Sequence, residues 1–560
     1  MFLPPFLLLL TALLAHAGPV LHRDAPLTVS TPLGDIAGAA ADGAQRFTIP
    51  FAQPPVDALR FANPQPITAF AASGTYDGTF KPAGCYQYDD DPRGVQEPSE
   101  DCLYSQLYRP ATVSSGAKLP ILVWVHGGSG VAGSSTASGL DASGFASRNN
   151  VIVVVLQYRL GLFGWLQSNT TLDEAAGGAP GGDKVAGNMA LRDVVAALTQ
   201  LRALAASFGG DAGSVTVMGQ SSGAQMVRAL LTLPAAQPLF QRAVLVSDTA
   251  YYGMATQTDH NALGGGAMAL LGCTDIACAR GKTKSEILAA STEVFSTVPQ
   301  ANPAVSGGTP WRPMLGDYFP SSITSGGKTS KAVLISTVAN EAGATAGALF
   351  LPSHAGSTIL TLRQGNYPVP YSVALGLIFN AGRGDALSLL APYATNGTTE
   401  DETRSQFELG GTDGLWRCSS QRNARALASA GTPVWLAQHD VGARYISNAD
   451  NDYCTKSDSH VCHEDDIYLI FGTTPSPTSA QQAASTQMQS RLTAFARTGS
   501  PNAAGYATWS RVTSASRLNM LHYASSGDSS LVDVQHAAQC APRSMWGSKI
   551  KYDWQMYETK

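Results

Sequence analysis

Gly219-Gln220-Ser221-Ser222-Gly223 sets a serine at the centre of a G-x-S-x-G pentapeptide, and the chemistry open to such a serine is nucleophilic attack. A serine hydroxyl becomes a useful nucleophile when it stands exposed on a sharp turn beside a general base. Flanking glycines give that turn room where side chains would collide. The turn also places the hydroxyl at the amino end of a helix, where backbone N–H groups favour developing negative charge. Ser221, the middle residue, is the candidate nucleophile. A carbonyl attacked by it passes through a tetrahedral intermediate whose negative oxygen needs preorganised donors. His126-Gly127-Gly128-Ser129-Gly130 is a glycine-rich loop able to take positive φ and to bring its backbone close to a substrate. Gly128, Ser129 and Ser222 are therefore the candidate oxyanion-hole donors. Each motif alone is also an ordinary turn, and the meaning comes from where the two stand.

Each motif follows a strand-like run. Leu119–Val125 and residues 151–156 are continuous, β-branched apolar segments of the kind buried in a parallel sheet. Residues 189–208 carry apolar side chains at a spacing of about 3.6, which predicts a helix. Residues 214–218 read as a strand leading into Ser221, and residues 224–233 as the helix after it. Further strands are expected at 243–246, 332–335 and 433–437, with an amphipathic helix at 485–497. Alternation of this kind predicts a mostly parallel sheet covered by helices, with the active site at the carboxyl ends of the strands.

The chain has 560 residues, of which 44% are hydrophobic and only 14% charged. A net charge of −5 without a long basic run excludes nucleic acid as a partner. Residues 2–14 are almost all apolar and Ala15-His16-Ala17 precedes Gly18, so residues 1–17 read as a signal peptide and the mature protein as secreted. That stretch is too short to cross a bilayer core of about 30 Å, and the polar stretch 549–560 does not fit a lipid-anchor signal, so no transmembrane anchor is expected. Eight cysteines in a secreted chain read as disulfides. Cys85 with Cys102, Cys273 with Cys278 and Cys454 with Cys462 are short-range pairs. They leave Cys418 for Cys540, although spacing alone leaves the connectivity open. No C-x-x-C pair with matching histidine spacing marks a zinc site, and no metal or cofactor is expected. Asn169-Thr170-Thr171 and Asn396-Gly397-Thr398 are acceptor triplets for glycans at Asn169 and Asn396. Oligomeric state has no signature.

Several ordered motifs resemble the type-B carboxylesterase and cholinesterase family, which also contains fungal lipases, and the chain looks like a secreted, fungal-type member. They are Ile49-Pro50-Phe51-Ala52-Gln53-Pro54-Pro55 with Leu59-Arg60-Phe61, then Ser99-Glu100-Asp101-Cys102-Leu103-Tyr104, then Tyr158-Arg159-Leu160-Gly161 with Phe163-Gly164. Gly187-Asn188, Leu191, Asp193 and Phe208-Gly209-Gly210-Asp211 then lead into the pentapeptide. The resemblance runs from about Thr31 to Trp546. It implies an α/β-hydrolase fold, a large, mostly parallel central sheet with helices on both faces, as a single catalytic domain over 18–560. It also implies a serine ester hydrolase acting through an acyl-enzyme, with a small-molecule or lipid-like ester as substrate. The family's acid is a Glu after a later strand, which points to Glu341 in Asn340-Glu341, although Ala342 stands where the family has Gly. The family's base lies eight residues before a matching Phe, which points to His463 ahead of Phe471, with His460 as the nearest rival.

Departures bear on substrate. Cholinesterases carry a Glu before the nucleophile and an aromatic for a cation in the first disulfide loop. Here the residue is Gln220, and the Cys85–Cys102 segment has no Trp. Only sixteen residues separate those cysteines, and they include Asp89-Asp90-Asp91, a poor apolar flap. The reading therefore favours soluble esters over lipid droplets. An interfacial lipase of the same family and a non-catalytic adhesion protein on this fold are the alternatives. Ser129 and Ser222 replace the family's usual Gly and Ala but keep the N–H.

Overall fold

The computed structural model describes residues 27–558, apart from 89–90, 96, 115, 177–186, 302–309, 325–326, 352–358, 396–398, 458–459, 514–517, 534–537 and 542–543. The expected signal peptide at 1–17, Asp89, Asp90 and the Asn396 triplet lie outside the described residues.

Continuous apolar runs fold as the centre of an eleven-stranded sheet. Its strands are β1 (Ala39–Ala41), β2 (Ala44–Pro50), β3 (Tyr104–Pro110), β4 (Leu119–Val125), β5 (Ile152–Leu156), β6 (Gly210–Gln220), β7 (Arg242–Val246), β8 (Ala332–Val338), β9 (Val434–His439), β10 (Asn519–Tyr523) and β11 (Ser529–Asp533). They lie in the order β11-β10-β9-β8-β7-β6-β4-β5-β3-β2-β1. Every pairing from β5 through to β10 is parallel. The pairings that add β1, β2, β3 and β11 are antiparallel.

Alternation along each central strand feeds two cores. Ile121, Val123 and Val125 of β4 point into one, and Leu122 and Trp124 into the other. A strand buried on both faces has no polar side, which is why these segments read as unbroken apolar runs. Each such Val, Leu or Ile side chain contributes roughly 1.5–3 kcal/mol by leaving water. On the first face pack α1 (Gly161–Trp165), α2 (Met189–Leu204), α3 (Ser222–Leu230) and α4 (Lys284–Ala301). The second face is covered by α7 (Ile467–Phe471) and α8 (Ser479–Thr498). A third core lies apart from the sheet. It is built around α5 (Glu400–Gly411), a π-helical turn Thr412–Arg417 and the start of α6 (Cys418–Ser429).

The architecture is the expected α/β-hydrolase arrangement, with three adjustments. The helix predicted over 189–208 ends at Leu204 and tightens into a 3-10 turn, Ala205–Phe208. The helix after the pentapeptide begins at Ser222, not at 224, and stops at Leu230. The flanking antiparallel strands β1 to β3 were not anticipated, because β2 and β3 bury polar residues such as Gln45, Arg46, Gln106 and Arg109 and so lack an apolar run. Arg109 satisfies itself by donating to Gln45 at 2.7 Å. Four disulfides join Cys85–Cys102, Cys273–Cys278, Cys418–Cys540 and Cys454–Cys462. Among the described residues no helix is long and apolar enough to cross a membrane.

β5 follows β4 on one side and β6 returns on the other. The strand order therefore reverses between β4 and β6, the point at which open α/β sheets place a binding crevice at the strands' carboxyl ends. Both glycine motifs stand at this reversal.

Candidate active site

Strand register brings the two motifs side by side. Val125, the last residue of β4, pairs with Gly219 of β6, so His126–Gly130 and Ser221 leave the sheet at one level. The pentapeptide turns sharply. Ser221 has φ 56° and ψ −125°, and its N–H is anchored to the Val246 carbonyl at 2.9 Å. Only glycine fits on either side of it. A Cβ on Gly219 would strike the Gly223 carbonyl, and one on Gly223 would strike the carbonyls of Val125 and His126. α3 starts at the next residue, so the Ser221 hydroxyl sits at a helix amino end, as the motif requires.

The second motif approaches just as closely. Gly128, Ser129 and Gly130 all have positive φ, at 111°, 55° and 70°. The Gly130 N–H donates to Ser222 Oγ at 3.2 Å, tying the loop to α3. Val131 and Ala132 donate to the Gly128 carbonyl, closing the turn. The N–H groups of Gly128, Ser129 and Ser222 have no acceptor among the described residues, and the Gly130–Ser222 contact sets the turn that carries the first two against the helix that carries the third. His126 is fully buried, stacked on Tyr158, with Nδ1 2.8 Å from the Gly127 carbonyl. Burial pushes its pKa down to about 4, so it is neutral at pH 7.

Glu341 and His463 arrive from loops. β8 ends at Val338, and the chain turns so that Glu341 Oε1 accepts the Val338 N–H at 3.0 Å while its other oxygen faces the imidazole. The His463 loop is docked against this turn by reciprocal contacts. The Asn340 N–H donates to the Val461 carbonyl at 2.9 Å, and the Val461 N–H donates to Asn340 Oδ1 at 3.2 Å. Asp465 holds the loop from within, accepting from the N–H groups of Cys462 and Tyr445 and from Asn448, whose amide also donates to the His463 carbonyl at 2.7 Å. The Cys454–Cys462 bridge ends one residue before the imidazole. His463 Nδ1 then lies 2.6 Å from Glu341 Oε2. Glu341 is fully buried. The rival His460 faces away, 2.9 Å from Glu408.

Burial opposes a charge on His463, but the Glu341 carboxylate, helped by Glu464 and Asp466, outweighs it. The net effect holds the imidazole pKa above its ordinary value. With the proton on Nδ1 facing Glu341, Nε2 is left as an acceptor, and the Gln220 amide donates to it at 3.1 Å. The Gln220 carbonyl oxygen is buried without a partner among the described residues and packs where a Cβ on Gly127 would stand. Gln220 thus fills the space between the imidazole and the glycine loop. The Ser221 hydroxyl makes no hydrogen bond among the described residues, and Ser221 is 8% exposed. Two contacts escaped the sequence reading. The Trp416 ring, on the π-helical turn, lies 5.2 Å from the imidazole at a tilt of 48°, and nothing local in the sequence marks it. Gln220 was visible as the residue before the serine, but its contact with His463 depends on two loops meeting.

A cavity of about 410 Å³ adjoins the glycine loop, walled by Tyr86, Tyr88 and Pro92 of the Cys85–Cys102 loop, by Val131 and Ala132, and by Leu288 and Phe295 of α4. Asp91 also borders it but is turned onto Arg93 at 2.8 Å. The described part of this loop offers the cavity aromatic rings, and Asp91 is paired with Arg93, while Glu97 and Asp101 of the same loop stay exposed. Of the glycan candidates, Asn169 is exposed at the start of a short helix, Asn169–Ala176.

Comparison with known proteins agrees with this fold. The chain is 37% identical over 286 residues to cocaine esterase of Homo sapiens, covering 47% of each protein. It is 34% identical over 311 residues to carboxylesterase 1E of Mus musculus, covering 50% of this chain and 52% of that one. The matched part is thus about half the length of these curated relatives. Among solved structures, a PNB esterase superimposes with a TM-score of 0.72 at 25% identity, covering 92% of this chain and 98% of the other. A thermophilic PNB esterase gives 0.73 at 24% identity, over 92% and 99%. The model of the Carboxylesterase family matches residues 25–538, and on that match over most of its length the chain belongs to the carboxylesterase family.

Proposed function

We propose that the protein is a serine carboxylic ester hydrolase in which Ser221 is the nucleophile, His463 the general base and Glu341 the acid that orients it. The contact that carries this reading is the 2.6 Å approach of Glu341 to His463 across 122 residues of sequence, at the sheet end where the G-x-S-x-G turn emerges. Glu341 fixes the tautomer that leaves Nε2 as an acceptor, and it stabilises the imidazolium formed in the reaction. As substrate enters, Gln220 yields Nε2 to the Ser221 hydroxyl. His463 takes that proton while Oγ attacks the ester carbonyl, and the N–H groups of Gly128, Ser129 and Ser222 receive the oxyanion. The imidazolium then protonates the departing alcohol. Water, deprotonated by the same imidazole, releases the acid from Ser221.

The substrate is a small-molecule ester. The cavity of about 410 Å³ beside the glycine loop is lined mainly by aromatic and aliphatic side chains, with Gln87, Ser291, Thr292 and the Arg93-paired Asp91 among them, which suits an uncharged acyl or alcohol group. A preference for soluble esters over lipid droplets fits the short Cys85–Cys102 loop. Secretion after removal of residues 1–17, one catalytic domain over 18–560 and glycans at Asn169 and Asn396 complete the proposal, supported by the four disulfides. Hydrolysis of p-nitrophenyl esters from acetate to palmitate, with Ser221→Ala alongside, tests it. Turnover is expected to peak at short or medium chains and to vanish in the variant. A maximum at palmitate with interfacial activation would make it a lipase, and activity on no ester would favour the adhesion reading. Intact turnover in Ser221→Ala would remove the proposal's basis.

A further inference from the structure

Glu464, the residue after the candidate base, has φ +77°. That left-handed region suits glycine, and a larger residue stays there only where its surroundings hold it. Here the holding groups are polar. Glu464 Oε1 is 3.2 Å from Arg93 Nη1, and Oε2 accepts a hydrogen bond from Ser447 Oγ. A glycine would adopt this backbone freely but could offer no carboxylate. The strained position therefore supplies a negative charge beside His463 and a partner for Arg93.

Arg93 comes from the Cys85–Cys102 loop. Its Nε and Nη2 donate to Asp91 at 2.8 Å, and its carbonyl accepts the Ser138 N–H at 2.7 Å. Its Nη1 also lies 3.3 Å from the place a Cβ on Gly128 would occupy. One guanidinium thus joins three segments: the loop carrying Tyr86, Tyr88 and Pro92 along the cavity, the glycine turn, and the loop carrying the imidazole. The Arg93 and Glu464 side chains are only 14% and 11% exposed, so solvent screens the pair less than it would at the surface.

The geometry points to Arg93 and Glu464 as positioning residues that latch the wall of the cavity to the base-bearing loop, so that bulky substrates are held in register with His463. The inference rests on His463 being the base. It has an electrostatic side and a steric side. The charged groups facing His463 are Glu341, Glu464 and Asp466. Around the latch stand Asp91, the neutral His126 and the hydroxyls of Tyr445 and Tyr468. Asp465 is engaged by Arg444 at 2.6 Å. Removing Arg93 leaves Glu464 and Asp91 uncompensated, which favours imidazolium. Removing the Glu464 charge disfavours it.

The test is the pH profile of kcat/KM for Arg93→Met, Glu464→Gln and Glu464→Gly, on p-nitrophenyl acetate and octanoate. The acid limb is expected to move up in Arg93→Met and down in both Glu464 variants, by roughly half a pH unit each. KM for octanoate is expected to rise about fivefold or more in all three, a binding loss of about 1 kcal/mol, with KM for acetate nearly unchanged. A merely structural pair would not give limb shifts of opposite sign. Shifts of one sign, or unchanged limbs and unchanged octanoate KM, would overturn the latch. Should Arg93→Met fail to fold, Glu464→Gly, which relieves the backbone, decides alone by its limb and KM. Turnover persisting in Ser221→Ala in the same assay would instead refute the underlying site.

Discussion

Ser221 and the Gly127–Gly130 turn stand on adjacent strands of the sheet, whereas Glu341 and His463 stand on loops that meet beside the third core. The first pair inherits its geometry from strand register: Val125 faces Gly219, and the turns follow. The second pair depends on long-range ties, namely the Asn340–Val461 contacts, the Asp465 carboxylate, the Cys454–Cys462 bridge and the Trp416 ring. The nucleophile's half is rigid because its backbone has nowhere to go. The base's half is held by a few loop-to-loop ties, several of them through side chains, so it is where position and protonation can be adjusted.

Substitutions in the two halves should therefore fail differently. Glu341→Gln keeps the shape but loses the charge and the tautomer control. It should lower kcat by roughly 10³–10⁴-fold with an unchanged unfolding midpoint, read by steady-state kinetics beside denaturant unfolding. A small loss would detach Glu341 from the base. Gly223→Ala forces a methyl onto the carbonyls of Val125 and His126. It should cost about 1–3 kcal/mol or more of stability along with the activity, because the strand ends must part. Normal stability there would mean that the elbow is looser than its glycines imply. Cys454→Ser with Cys462→Ser should lower kcat about tenfold while removing roughly 2 kcal/mol of stability. Unchanged turnover would show that hydrogen bonds alone hold the base. The smallest effect is on pH. Since the His463 pKa is held above its ordinary value, the neutral base exists only above that raised pKa. kcat/KM should fall, as pH drops, at a limb above about 6.5. Gln220→Glu adds a carboxylate against Nε2 and should move that limb higher still, and a downward move would contradict the assigned hydrogen bond.

Legibility in the sequence followed the same division. The strands at 119–125, 243–246 and 332–335 were readable because burial on both faces leaves a continuous apolar run, that at 214–218 because its β-branched residues lead into the elbow, and the elbow because its steric demand is local. Strands β2 and β3 were not, since Gln45, Arg46, Gln106 and Arg109 interrupt the pattern and are satisfied by distant partners: Arg109 by Gln45, Arg46 by the carbonyls of Thr79 and Phe80, and Gln106 by Ser135. Glu341 and His463 carry no local mark of their function. Their proposed roles came through resemblance, because the contact that joins them spans 122 residues. The Cys85–Cys102 loop was read as acidic from its composition, and Glu97 and Asp101 are indeed exposed; what composition does not encode is that Asp91 turns onto Arg93 and that Tyr86 and Tyr88 line the cavity.

Labelling with a p-nitrophenyl phosphonate tests the central claim most directly. Peptide mass spectrometry should find one adduct, on Ser221, formed in step with loss of activity. The rate should be slowed at least about a thousandfold in His463→Ala and the adduct absent in Ser221→Ala. An adduct on another residue, or labelling at Ser221 that proceeds equally fast without the imidazole, would contradict the account.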